Sequence, residues 1–129
     1  MKNHLSIVKM ILAVVLALSL CISAAALADD TVYTVGICQL VQHDALDAAT
    51  QGFIDALTEE LGDAVTFDVQ NAAGDSNTCS TIANAFVSDK VDLILANATP
   101  ALQAATAATA DIPILGTSVT EYGVALDIE

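Results

Sequence analysis

Gln39, Gln42 and His43 stand together just beyond an apolar run that ends at Cys38, and a helix-forming segment opens at His43. Two amides and an imidazole in one short loop can donate to and accept from a small polar molecule. They are poor material for covalent chemistry. His43 is the only histidine after His4, and no Ser or Cys stands beside it in a nucleophile setting. Cys38 adjoins the loop, but a reactive thiolate needs positive neighbours, and Lys90 is the only Lys or Arg after Lys9. The chain has no G-x-S-x-G, no P-loop and no Gly-rich dinucleotide turn after its first strand. No Cys or His spacing fits a zinc site. The residues therefore point to binding rather than catalysis, with no cofactor and no metal.

The elements that must position this loop alternate strand and helix. Val32 to Cys38 is a β-branched run and reads as the first strand. His43 to Leu61 reads as a helix whose buried stripe is Leu46, Ala49, Phe53 and Leu57, ended by Gly62. Val65 to Gln70 alternates as a second strand. Asp75 or Ser76 caps a second helix that buries Cys79, Ile82, Ala83 and Phe86. Val91 to Ala96 reads as a strand covered on both faces. Thr99 to Ala110 reads as an Ala-rich helix with Thr99 as N-cap and Pro100 at its first position. Ile112 to Gly116 is the fourth strand, Thr117 to Glu121 a polar turn, and Tyr122 to Ile128 the start of one more element. Repeated βα units imply right-handed crossovers and an α/β fold with a doubly wound parallel sheet, for which the order 2-1-3-4 is expected, with an incomplete last unit.

In such a sheet the loops after the strands share one edge, where these folds place ligands. Loop one holds Gln39, Gln42 and His43; loop two Asn71, Asp75 and Asn77; loop three Asn97, Thr99 and the helix start at Ala101; loop four Thr117, Ser118 and Thr120. Each residue alone is an ordinary turn or cap residue; their pooling on one edge is the signal. The edge has amides and hydroxyls but no cation. A carboxylate would be held by the free backbone N–H groups at Thr99-Pro100-Ala101, and an ammonium by Asp44 or Asp75.

The first residues belong to export. Lys2 and Lys9 form a positive n-region, Ile11 to Leu20 an apolar h-region, and Ala26-Leu27-Ala28 a cleavage site, so residues 1–28 read as a signal peptide and Asp29 as the mature N-terminus. Lipidation at Cys21 is the minority reading, because Leu20 fits a lipobox poorly. From Asp29 onward one lysine faces sixteen carboxylates, a net charge of −15 over 101 residues. Such a chain repels nucleic acid and anionic membranes, and its length suits one small domain. Cys38 and Cys79 remain after cleavage; export permits a disulfide, but two buried free thiols is the favoured reading.

The run VGICQLVQHDALDAATQGF resembles the start of the ABC-transporter substrate-binding proteins of the tryptophan/tyrosine uptake type, relatives of the type I periplasmic binding proteins. NAAGDSNTCSTIANAFVSDKVDLILANATPALQAA is similar to their second and third βα units, and GTSVTEYGVAL to their approach to the interlobe crossover. Asp44 stands where that family often has Pro. The resemblance covers nearly all of Val32 to Ile128. It implies a type I lobe, residues 29–129, with the second lobe lying outside this chain. It also implies an exported, periplasmic or cell-surface protein that binds a small amino acid, aromatic in that family, and delivers it to an ABC permease in the membrane. On matching positions it implies ligand contacts at Gln39, Gln42 and His43, at Asn97, Thr99 and Pro100, and at Thr117 and Ser118, with Asn71 and Asp75 as further candidates. Two rivals stand beside it. A sensory ectodomain on the same fold would be followed by a membrane span and signalling domain. A secreted flavodoxin-like enzyme would lose activity, but not its fold, on His43→Ala.

Overall fold

The computed structural model describes residues 31–128. The expected signal peptide, its cleavage site and Cys21 lie outside the described residues. Strands β1 (Tyr33–Gln39), β2 (Val65–Asn71), β3 (Leu93–Asn97) and β4 (Ile114–Thr117) form an all-parallel sheet in the order β2-β1-β3-β4. This is the expected 2-1-3-4 order. Helices α1 (Asp44–Leu61), α2 (Ser76–Asp89) and α3 (Thr99–Ala108) cross between the strands, and a short α4 (Tyr122–Leu126) follows β4.

The helices divide unevenly between the two sheet faces, and the core follows. On one face α1 lies over Val35, Ile37, Val65 and Leu95 with Phe53, Ile54 and Leu57. On the other, α2 and α3 enclose Cys38, Cys79, Phe86, Ile94, Ala96, Ala101 and Leu102. The α2–β1 approach is close because residue 36 is glycine: a Cβ there would stand 2.7 Å from the Phe86 ring. Many alanines let α3 sit equally near, with Ala101 and Ala105 fully buried. The apolar area removed from water at these seams drives the assembly.

Several elements depart from the sequence reading. The stripe Leu46, Ala49, Phe53 and Leu57 is only half-buried; the one buried residue of α1 is Thr50. Among the described residues α1 alone covers its face and spans the central strands, so Val69 on β2 and Leu115 on β4 stay 49% and 47% exposed. The third and fourth strands run later than expected, ending at Asn97 and Thr117. The third helix ends at Ala108, and its N-cap is Ala98, not Thr99, which is its first helical residue, with Pro100 the second. The shift arises because β3 pairs one residue further, to Asn97, and the chain turns at Ala98 with φ 100° and ψ 160°. Both its backbone groups are bonded: its N–H donates to Thr117 O at 3.0 Å and its carbonyl accepts from Leu102 N at 3.1 Å. Tertiary structure thus fixes a backbone region that alanine rarely enters.

Candidate functional site

The last residue of each strand falls into one register row. Asn71 pairs with Gln39, Gln39 with Asn97 and Asn97 with Thr117, so four polar residues cross the carboxyl edge of the sheet. Partners in parallel register present side chains to the same face, which here is the α1 face. The preceding row, Val69, Ile37, Leu95 and Leu115, is wholly apolar. Strand alternation therefore changes from apolar to polar at one level across the whole sheet.

The two central members of the row turn inward. Gln39 is 5% exposed and Asn97 is fully buried. Asn97 Nδ2 donates to Leu46 O at 2.8 Å and to Thr50 Oγ1 at 2.9 Å. The Thr50 hydroxyl donates to Gln39 Oε1 at 2.7 Å. Gln39 Nε2 then donates to Val41 O at 2.9 Å and to Asp47 Oδ1. The chain of bonds runs from the end of β3, through the buried hydroxyl of α1, to the end of β1. It fixes loop one, loop three and the start of α1 relative to one another. Asn97 Oδ1 alone lacks a partner in this network. Thr50 was invisible to sequence reading. A threonine amid the polar and apolar positions of an amphipathic helix carries no sign that it faces inward.

The other predicted residues lie around this pair. His43 is exposed and caps α1, its Nδ1 accepting from Ala45 N at 3.2 Å. Gln42 is exposed beside it. Asn71 Oδ1 accepts from Ala73 N at 2.8 Å and Asp75 Oδ1 from Thr78 N at 2.8 Å, so both organise loop two while remaining exposed. Thr99 and Pro100 are half-buried at the start of α3. Thr99 makes no side-chain cap, and with Pro100 lacking an N–H and Ala101 fully buried, the expected cradle of free N–H groups reduces to the Thr99 amide. Thr117 ends β4 half-buried, and Ser118 follows at φ 57°, exposed. Loop four is held from below by Tyr122, whose hydroxyl donates to Gly116 O at 2.7 Å.

One concave region stands at this edge, and the sheet topology marks a second position beside it. Between α1 and β2 a cleft of about 380 Å³ is walled by Gln39, Gln42, Asp47, Thr50 and Asn71, with Ile54 and Val69 as its apolar floor. The topological position lies above β1 and β3. The chain leaves β1 toward the α1 face but leaves β3 toward the α3 face, so loops one and three diverge. That is the switch point of a doubly wound sheet, where the crevice outside the strand ends takes ligands. Gln42 and His43 stand on one side, and Thr99, Pro100, Thr117 and Ser118 on the other. Asn71 and Asp75 lie outward beside β2.

The edge is acidic and unreactive. Asp44, Asp47 and Asp75 adjoin it, whereas Lys90 caps the far end of α2, at the opposite edge of the sheet. Burial, then the neighbouring Cys79, pushes the Cys38 thiol up to about 12, far from thiolate chemistry at neutral pH. No cluster of three or more His, Cys, Asp or Glu suited to a metal ion occurs among the described residues.

Comparison with known proteins identifies the family and the fold. A tyrosine-binding protein from Clostridioides difficile (strain R20291) is 52% identical over 90 residues, 67% of this chain and 26% of that protein. The ligand-free, open structure of a substrate binding protein with adhesive properties from Clostridium difficile superposes with a TM-score of 0.70 at 48% identity, covering 73% of this chain and 33% of that one. The structure of an ABC domain in complex with L-Trp from Streptococcus pneumoniae gives a TM-score of 0.69 at 34% identity, covering 74% and 33%. This chain thus spans about a quarter to a third of the length of these relatives. Residues 34–126 match the family described as ABC transporter substrate binding protein, and the chain belongs to that family, with the α/β fold of a type I periplasmic-binding-protein lobe.

Proposed function

We propose that this chain forms one wall of an aromatic amino-acid site in the extracytoplasmic binding component of an ABC importer. The observation that carries the reading is the topological switch point between β1 and β3, flanked by polar loops. Gln42 and His43 approach the ligand from loop one, Thr99 and Pro100 from loop three, and Thr117 and Ser118 from loop four. Gln39 and Asn97 set the floor. Asn71 and Asp75 serve the periphery. With Lys90 remote, the ligand carboxylate is received by the Thr99 amide at the α3 N-terminus, whose dipole favours an anion. The ammonium meets the acidic rim at Asp44 or Asp75. The tyrosine-binding relative and the L-Trp complex support an aromatic side chain. A second lobe outside this chain closes over the ligand, and the closed form docks on the membrane permease.

The test is thermal unfolding of the full-length exported protein with each of the amino acids in excess. Tyrosine or tryptophan is expected to raise Tm as RT ln(1 + [L]/Kd) dictates. A panel in which no amino acid raises Tm sinks the proposal.

A further inference from the structure

Cys38 and Cys79 lie far apart in sequence yet meet in one seam. The segment after β2 docks on the end of β1, with Ala72 N donating to Gln39 O at 2.9 Å and Gly74 N to Leu40 O at 2.7 Å. This sets the first turn of α2 beside Cys38, and Cys79 N bonds back to Asp75 O within that turn. The same seam is fixed lower down by Phe86 against Gly36. Cys38 is two residues from Gly36 on the same strand face, and Cys79 is two turns from Phe86 on the same helix face. Both thiols are free, fully buried and in one core cluster, and the neighbouring Cys79 helps push the Cys38 thiol up. The family to which the chain belongs works outside the cytoplasm, where disulfides persist.

We propose that Cys38 and Cys79 are a disulfide-forming pair, crosslinking the end of β1 to the first turn of α2 when the chain folds in an oxidising compartment. The oxidant is a disulfide, either a small molecule or the exposed bond of an oxidoreductase. One cysteine thiolate attacks it and expels a thiolate, leaving a mixed disulfide. The second cysteine thiolate attacks the protein sulfur of that mixed bond and expels the other thiolate. The two protein thiols give up two electrons and two protons, and one oxidant disulfide becomes two thiols. Exchange belongs to folding, before the seam closes, because complete burial denies the oxidant access to either thiol afterwards. The bond encloses a long loop, so it constrains the unfolded chain strongly.

The experiment refolds the reduced, denatured full chain in a glutathione redox buffer, quenches and denatures it with iodoacetamide, and maps the peptides by mass. The expected product carries one alkyl group, on Cys21, and a Cys38–Cys79 linked peptide that a Cys21→Ser variant retains. Adding reductant to the crosslinked protein is expected to lower Tm by on the order of 10 °C. Three alkylated cysteines, a link through Cys21, or persistent glutathione adducts at Cys38 or Cys79 overturn the proposal. So does a crosslinked product no more heat-stable than the reduced chain, since the native seam would then not hold the bond.

Discussion

Replacing Thr50 by valine keeps its shape and removes one hydroxyl. In the folded protein that hydroxyl is the donor to Gln39 Oε1 and an acceptor for Asn97 Nδ2. Both partners are at least nine-tenths buried, so water cannot replace what is lost. Asn97 keeps its bond to Leu46 O, and Gln39 keeps its amide contacts to Val41 and Asp47. One carbonyl oxygen and one N–H are orphaned, each costing about 1–3 kcal/mol. The added methyl returns roughly 0.8 kcal/mol. Thr50→Val should therefore destabilise by about 1–5 kcal/mol. Thr50→Ser keeps the hydroxyl and loses a methyl, for about 0.5–1.5 kcal/mol by analogy with other single-methyl deletions. Hydrophobic burial alone gives the order Val, Thr, Ser, which puts valine first instead of last. Urea unfolding followed by far-UV circular dichroism reads it directly. Valine equal to or better than serine would refute the claim that this hydroxyl ties loop one to loop three.

Three other perturbations probe the scaffold of the site. Ala98→Gly relieves a backbone held at φ 100° and should raise the urea midpoint without changing the slope, by up to about 1 kcal/mol once glycine's extra unfolded entropy is counted. Gly36→Ala forces a methyl against the Phe86 ring and should cost about 1–3 kcal/mol, with Phe86→Leu in the same chain recovering part of it. In the reduced protein the folded Cys38 thiol holds its proton up to about 12, whereas an unfolded thiol loses it near 9. Stability should thus be flat below pH about 9 and then fall with rising pH by up to about 1.4 kcal/mol per unit, Cys79 adding the same sign. Urea midpoints across that range, with and without Cys38→Ala, measure the slope.

Much of this was legible in the sequence because strand and helix periods are local. The alternation of strands and helices and the cap at Asp75 follow from nearby residues, and the 2-1-3-4 order from the right-handed crossovers that repeated βα units impose. Thr99 was misplaced as a cap because its own sequence, Thr-Pro, is a strong helix start; the pairing of Asn97 with Thr117 moved the boundary, and pairing is not local. The α1 stripe was overestimated for a similar reason, since how much of a helix is covered depends on its neighbours over the sheet. Gln39 and Asn97 were readable as polar residues at strand ends. That they turn inward onto Thr50 was not, because nothing in their spacing distinguishes a floor from a rim.

The central claim, a ligand site above β1 and β3, is tested most directly by titrating the isotopically labelled full-length exported protein with L-tyrosine and L-tryptophan and following backbone amide shifts by NMR. The account predicts saturable shifts at Gln42, His43, Thr99 and Ser118, with the N-terminal ends of the strands unmoved. Shifts confined to the cleft between α1 and β2, or none up to the solubility limit of either amino acid, would contradict it.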